Sequence, residues 1–132
     1  MARRREGRVL NKTVQRELDE LAELLRVLAE PRRLQILYLL AQREMCVCEI
    51  LPELGISQPL TSHHLGVLTQ AGLIRPRRQA QRIFYSVVPE ALGRLKETLL
   101  ARFDPAQLPP EATYGQGEAV CPVPELVTEQ VG

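Results

Sequence analysis

GISQPLTSHHLGVLTQAGLIRPRRQAQRIFYSVV, running from Gly55 to Val88, changes its hydrophobic period once, and that change decides the fold. Ser57 is a helix N-cap residue, and Pro59 is tolerated in the first turn that follows. Thr61, His64, Leu65 and Leu68 then recur at helical spacing, which turns Ser62, His63, Gly66 and Gln70 to the opposite face. Gly72 stops this helix. Beyond it, Leu73–Arg75 and Arg82–Val88 are β-prone runs joined by the polar stretch Arg77–Gln81, a hairpin with an arginine-rich tip.

Upstream, the pattern is helical. Cys48–Leu54 forms a short helix closed by Gly55, with Pro52 blurring its limits. Residues 31–42 form another, with Leu34, Leu37, Leu40 and Ala41 on one side. A longer one precedes it, carrying Val14, Leu18, Leu21, Leu25 and Leu28 as a single stripe, and Glu30-Pro31 ends it. Downstream, Pro89 opens a last helix over 90–103 with Leu92, Leu95, Leu99 and Leu100 at helical spacing. Two helices meeting at Gly55-Ile56-Ser57, followed directly by a basic hairpin, make a winged helix-turn-helix in a mainly α chain.

The outer stripes, 14–28 and 92–100, exceed what so small a core covers. Pairing them across a two-fold axis would bury both and set two reading helices one DNA turn apart, ~34–36 Å. The expected organisation is a basic arm over 1–13, the winged helix-turn-helix with its dimerising helices over 14–103, and an acidic, proline-rich flexible tail over 104–132.

Composition agrees. The chain has 132 residues and 14.9 kDa, room for one domain. At 45% hydrophobic and 25% charged it is neither wholly disordered nor membrane-spanning. With no apolar run after the basic start and an odd count of three cysteines, a cytoplasmic protein is the expectation. The net charge of +1 is unevenly spread. The tail holds five acids and no base, leaving 17 basic and 11 acidic residues elsewhere, a net +6 that suits a polyanion. Ser57, Gln58, Ser62 and His63 are polar groups able to reach base edges in a major groove. Arg77, Arg78 and Arg82 are long cations suited to phosphates or the minor groove. No Cys/His pair with a third orienting group and no phosphate-cradling glycine loop argues for an enzyme.

Met45-Cys46-Val47-Cys48-Glu49 is the sharper feature. Side chains two apart on a regular helix diverge by about 200°. The sulfurs converge only if Cys46 lies just before the helix and Cys48 in its first turn, where the amide dipoles also favour thiolates. Such a pair selects soft acceptors, As(III), Cd(II), Pb(II), Hg(II) or Zn(II). Spacing leaves open the alternative of two small buried apolar residues. Cys121, 18 residues beyond Phe103, is within reach of the pair at ~3.3–3.6 Å per extended residue, although spacing alone favours an inert tail cysteine. His63 and His64 point ~100° apart and do not chelate together; His63 faces DNA and His64 packs, partly buried.

Leu28-Ala-Glu-Pro-Arg-Arg-Leu-Gln-Ile-Leu, Glu44-Met-Cys-Val-Cys-Glu-Ile, Ser57-Gln-Pro-Leu-Thr-Ser-His-His-Leu and Ala71-Gly-Leu-Ile together resemble the ArsR/SmtB family of metal-sensing repressors, over about residues 14–103. The resemblance implies a homodimer that represses a resistance operon and leaves its operator on binding a metal or metalloid. It also likens the Cys-Val-Cys segment to the thiolate site of arsenite sensors and of the cadmium/lead branch. Two departures follow. The third cysteine of the best-known arsenite sensors is Leu51 here, and the N-terminal arm lacks the extra cysteines of the cadmium/lead branch. Cys121 becomes the leading third ligand. The last helix offers Glu90 and Glu97 but no histidine for the zinc site of the zinc-sensing branch. The expected inducer is As(III) or Sb(III), with Cd(II) or Pb(II) next. A thiol redox switch on the same fold and a metal-binding protein that no longer reads DNA are the rival expectations.

Overall fold

The computed structural model describes residues 9–110. Cys121, the arm arginines Arg3, Arg4, Arg5 and Arg8, and most of the expected acidic tail lie outside the described residues. The chain divides into two units, Met1–Arg102 and Phe103–Gly132.

Three of the helices start where a side chain satisfies free amides, at Asn11, Glu30 and Ser57. Helix α1 (Lys12–Leu28) is capped by Asn11, whose Oδ1 accepts from the Val14 N–H at 2.9 Å. Helix α2 (Pro31–Gln42) is capped by Glu30, whose carboxylate accepts from Arg32 and Arg33 N–H at 2.8 and 3.2 Å. A two-residue strand β1 (Met45–Cys46) leads straight into α3 (Val47–Leu54). There Pro52 brings no N–H to the Cys48 carbonyl four residues earlier. Gly55 ends α3 at φ +68°, a left-handed conformation that costs a side-chain-bearing residue, and its N–H donates to the Leu51 carbonyl at 3.1 Å. Helix α4 (Gln58–Gln70) follows after Ser57, and Gly72 at φ +79° turns the chain into the wing.

The wing is β2 (Ile74–Gln79) antiparallel to β3 (Arg82–Val87), in register from Ile74 opposite Val87 to Gln79 opposite Arg82. One expectation is corrected here, and the sheet gains a strand. Arg77, Arg78 and Gln79 belong to the strand, so only Ala80-Gln81 turn, because cross-strand partners Phe84, Ile83 and Arg82 continue the ladder. The sheet also has a third strand: β1 pairs with β3, Met45 opposite Tyr85 and Cys46 opposite Phe84, in the order β1-β3-β2. A strand of two residues is too short to leave a period in the sequence. Helix α5 (Pro89–Phe103) closes the domain. In the second unit, Pro105–Gln107 make a single 3-10 turn capped by Asp104.

The core joins Leu28, Ile36, Leu37 and Leu40 to Ile50 and Leu54, Leu65 and Leu68, Leu73 and Ile74, and Ala91. Helix α2 is rotated from its expected face. Ile36 is fully buried while Leu34 is half exposed and Ala41 exposed. With apolar residues at 34, 36, 37, 39 and 40, α2 could present either of two stripes, and packing selects one. On α1, Leu21 and Leu28 are buried but Leu25 is exposed. No helix among the described residues is long and apolar enough to cross a membrane.

Candidate nucleic-acid interface and thiol site

Helix α4 separates its two faces as its periodicity requires. Thr61, His64, Leu65 and Leu68 are buried, and Gln58, Ser62, His63, Gly66 and Gln70 are exposed. Ser57 Oγ accepts from the Leu60 N–H at 3.2 Å, and Thr61 donates its hydroxyl to the Ser57 carbonyl at 2.9 Å. The cap is thus held from both sides. The amide end of the helix, with Ser57 and Gln58, presents positive potential outward.

His64 is more than packing. Its Nδ1 accepts from Arg33 Nη1 at 3.2 Å, and Arg33 Nε donates to the Val27 carbonyl at 2.6 Å. One arginine of α2 therefore ties the last turn of α1 to the buried side of α4. Nε2 of His64 lies 3.8 Å from Glu30. Burial holds the His64 pKa below the ordinary imidazole value; Glu30 opposes this, while Arg33, His63 and Arg32 add to it. Accepting from a guanidinium requires the neutral ring, in agreement with that direction.

The three wing arginines differ. Arg77 is committed to the protein: Nε and Nη2 grip Glu44 at 2.9 and 2.8 Å, Nη1 donates to Gln79 at 2.7 Å, and the guanidinium lies 5.0 Å from the Phe84 ring centroid. The hydrogen bond with Arg77 lowers the Glu44 pKa and raises that of Arg77. The side chains of Arg78 and Arg82 are exposed and make no hydrogen bond or salt bridge among the described residues, although the charge of Arg82 acts on Glu49 through space. Arg77 thus braces the wing against the strand that carries the first cysteine, and its two neighbours project.

Cys46 is the N-cap of α3 and Cys48 sits in its first turn, the placement that convergence demands. Their Cα atoms are 5.3 Å apart and their sulfurs are joined in a disulfide. Cys46 is buried, 2% exposed, and Cys48 is exposed. The Cys46 N–H donates to Glu49 Oε1 at 2.9 Å, and Glu49 Oε2 pairs with Arg43 at 3.2 Å. These contacts, the Cys46 amide first, hold the Glu49 pKa low. Beside the sulfurs lies a groove of about 410 Å³, bounded by Val47, Leu51 and Ile83 and by Gln58 and Arg82. Once reduced to thiols, two sulfurs at a helix start suit a soft acceptor. Among the described residues no third histidine, cysteine or carboxylate joins them to make a metal-holding cluster.

Glu30, Arg33, Glu44 and Glu49 were not singled out from sequence. Glu30 before Pro31, and Glu49 three residues after Cys46, are capping signatures that could have flagged two of them. Arg33 and Glu44 act across the fold and leave no local signal.

A profile described as "Bacterial regulatory protein, arsR family" matches residues 30–75, from the cap of α2 to the start of the wing. The biofilm growth-associated repressor of Agrobacterium fabrum is 40% identical over 97 residues, spanning 74% of this chain and 83% of that protein. The chain belongs to the ArsR family. It is a DNA-binding transcriptional repressor of the ArsR/SmtB type and not an enzyme. Another ArsR-family relative, the arsenical resistance operon repressor of Staphylococcus xylosus, is 36% identical over 80 residues, 61% of this chain and 77% of that one. The crystal structure of the repressor BigR from Xylella fastidiosa superposes with a TM-score of 0.58 at 32% identity, over 72% of this chain and 97% of that chain. Reduced HlyU from Vibrio cholerae gives 0.59 at 32% identity, over 71% and 99%. The ArsR-family match encloses both cysteines and all of α4 but stops before Arg77, Arg78 and Arg82.

Proposed function

We propose that this repressor is a cytoplasmic homodimer released from operator DNA when As(III) or Sb(III) is captured by Cys46 and Cys48, with Cys121 as third ligand, and that it controls a metal(loid) resistance operon. Cd(II) and Pb(II) are the alternative ions. One observation carries the reading: both cysteines border the groove that Gln58 and Arg82 also border. Cys46 belongs to β1, which is paired with the wing strand, and Cys48 belongs to α3, which leads through Gly55 into α4. A ligand held by both sulfurs therefore acts on both DNA-reading elements at once.

In this proposal Gln58, Ser57, Ser62 and His63 meet base edges, Arg78 and Arg82 meet phosphates, and Arg77 holds the wing in place. Dimerisation through α1 and α5 is supported by exposed Leu25 and Leu100 on those helices. Coupling between ion and operator of about 1–3 kcal/mol, or 5–150-fold, is the expected scale.

The disulfide supports a second reading, in which oxidation is the signal: two thiols and one peroxide give the disulfide and two waters. Operator titration of the reduced full chain separates the two. Arsenite should weaken binding, and Cys46→Ser or Cys48→Ser should stay bound in its presence. If arsenite leaves the dissociation constant unchanged while peroxide raises it, the redox reading replaces the first. A Cys121→Ser protein that responds normally removes Cys121 from the site.

A further inference from the structure

Resting on the homodimer proposed above, we infer that Arg33 is a positioning residue for DNA reading: it fixes the angle between α4 and the dimerising helix α1, and so sets the spacing of the two half-sites that the repressor accepts. The need for it begins at the end of α1. The Val27 carbonyl would accept from the amide four residues on, but that residue is Pro31, which has no N–H. Arg33 Nε supplies the missing donor at 2.6 Å, and its cation lies at the end of α1 where the helix dipole is negative. The same guanidinium donates through Nη1 to Nδ1 of His64 at 3.2 Å. An arginine only donates, so Nδ1 is the unprotonated nitrogen and the ring proton sits on Nε2, on the side of Glu30 at 3.8 Å. Glu30 in turn caps α2 by accepting from the Arg32 and Arg33 N–H groups. His64 is 5% exposed, so little water is at hand to replace Arg33 as its partner.

Packing over this stretch leaves the angle to the polar link. Along Leu24 and Val27, α1 is separated from Val67, Gln70 and Ala71 of α4 by a groove of about 360 Å³. A groove can widen or narrow at small cost, whereas a planar guanidinium that serves two acceptors holds both in one geometry. The lever is long enough to matter. Gln58 stands six residues ahead of His64 on α4, about 9 Å along the axis. A tilt of about 10° around His64 moves Gln58 by about 1.6 Å, and two-fold symmetry doubles this to about 3 Å, close to the ~3.4 Å rise of one base pair.

The probe is duplex DNA selected by the reduced full-length chain from a randomised library, then rebuilt as single half-sites and as pairs whose spacing is shifted by one or two base pairs either way. The parent chain should lose about tenfold or more in affinity on a shift of one base pair. Arg33→Met, which keeps an aliphatic stem and removes both donors, should lose about tenfold on the optimal pair but less than about threefold on a single half-site, with less than about a threefold preference among spacings. Arg33→Lys serves one acceptor at a time and should fall between the two; it takes the place of Arg33→Met if that variant fails to fold. His64→Asn, whose Oδ1 can accept where Nδ1 does, should retain the parent's spacing profile, whereas His64→Leu should match Arg33→Met. Equal losses on half-site and pair, with the spacing preference intact, overturn the positioning role and leave the homodimer standing. A parent chain that binds single half-sites as a monomer, with no spacing preference, overturns both.

Discussion

Adding one methyl group to Gly66 and to Gly55 should change stability in opposite directions. Neither position has another atom within 4 Å of the added Cβ, so contacts do not enter and the backbone alone decides. Gly66 lies inside α4, where alanine is favoured over glycine by about 0.8–1 kcal/mol. Gly55 sits at φ +68°, where a side chain costs roughly 1–2 kcal/mol, offset by about 0.4–1 kcal/mol because alanine restricts the unfolded chain. The net is a gain of about 1 kcal/mol for Gly66→Ala and a loss of up to about 1.6 kcal/mol, about 0.8 at mid-range, for Gly55→Ala. In a domain of this size 1 kcal/mol moves Tm by about 4–8 °C. Thermal melts followed by circular dichroism, at one protein concentration because self-association would make Tm depend on it, resolve both. Gly66 also lies on the exposed face with Ser62 and His63, and in the proposed docking the absence of a side chain there would let the helix axis approach the groove. Gly66→Ala should therefore be more stable and yet bind operator more weakly, a combination that global unfolding cannot produce. Shifts of the same sign in the two variants would refute the backbone argument. Unchanged operator affinity in Gly66→Ala would refute close approach at that point.

Ile50→Ala, which empties a fully buried position on α3, should cost about 2–5 kcal/mol in urea unfolding; a loss below 1 kcal/mol would mean that α3 is not anchored in the core. Ala80 turns the wing at φ +58°, so Ala80→Gly should raise stability by roughly 0.5 kcal/mol, and a lower urea midpoint would contradict the turn. His64 has a folded-state pKa below its unfolded value of 6.5, so the unfolded chain binds the proton first. Its contribution is complete above pH 6.5 and is lost as the pH falls from there through the folded pKa. His64→Gln should flatten the stability profile in that window, and a profile as steep as that of the parent chain would assign the slope to other groups.

Much of the domain was legible because its signals are local. The span of α2, the Gly55 stop, the Ser57 cap and the inward row Thr61, His64, Leu65 and Leu68 each follow from a few neighbouring residues. Leucine-rich α2 departs from the expected face because several apolar stripes satisfy its spacing and only its neighbours choose among them. The wing departs from the expected loop at its tip because strand continuation depends on a partner such as Phe84, across the hairpin from Arg77.

For the site, the division is similar. Cys-Val-Cys, the polar face of α4 and the cluster of arginines are properties of the chain as written, since residue type and short spacing determine which chemistry is present and where helices begin. Tertiary structure alone decided what that chemistry faces. It committed Arg77 to Glu44, tied His64 to Arg33, and set the two sulfurs beside Gln58 and Arg82. Those pairings join residues far apart along the chain, and their partners are selected by the packing of helices and strands, which no local pattern encodes.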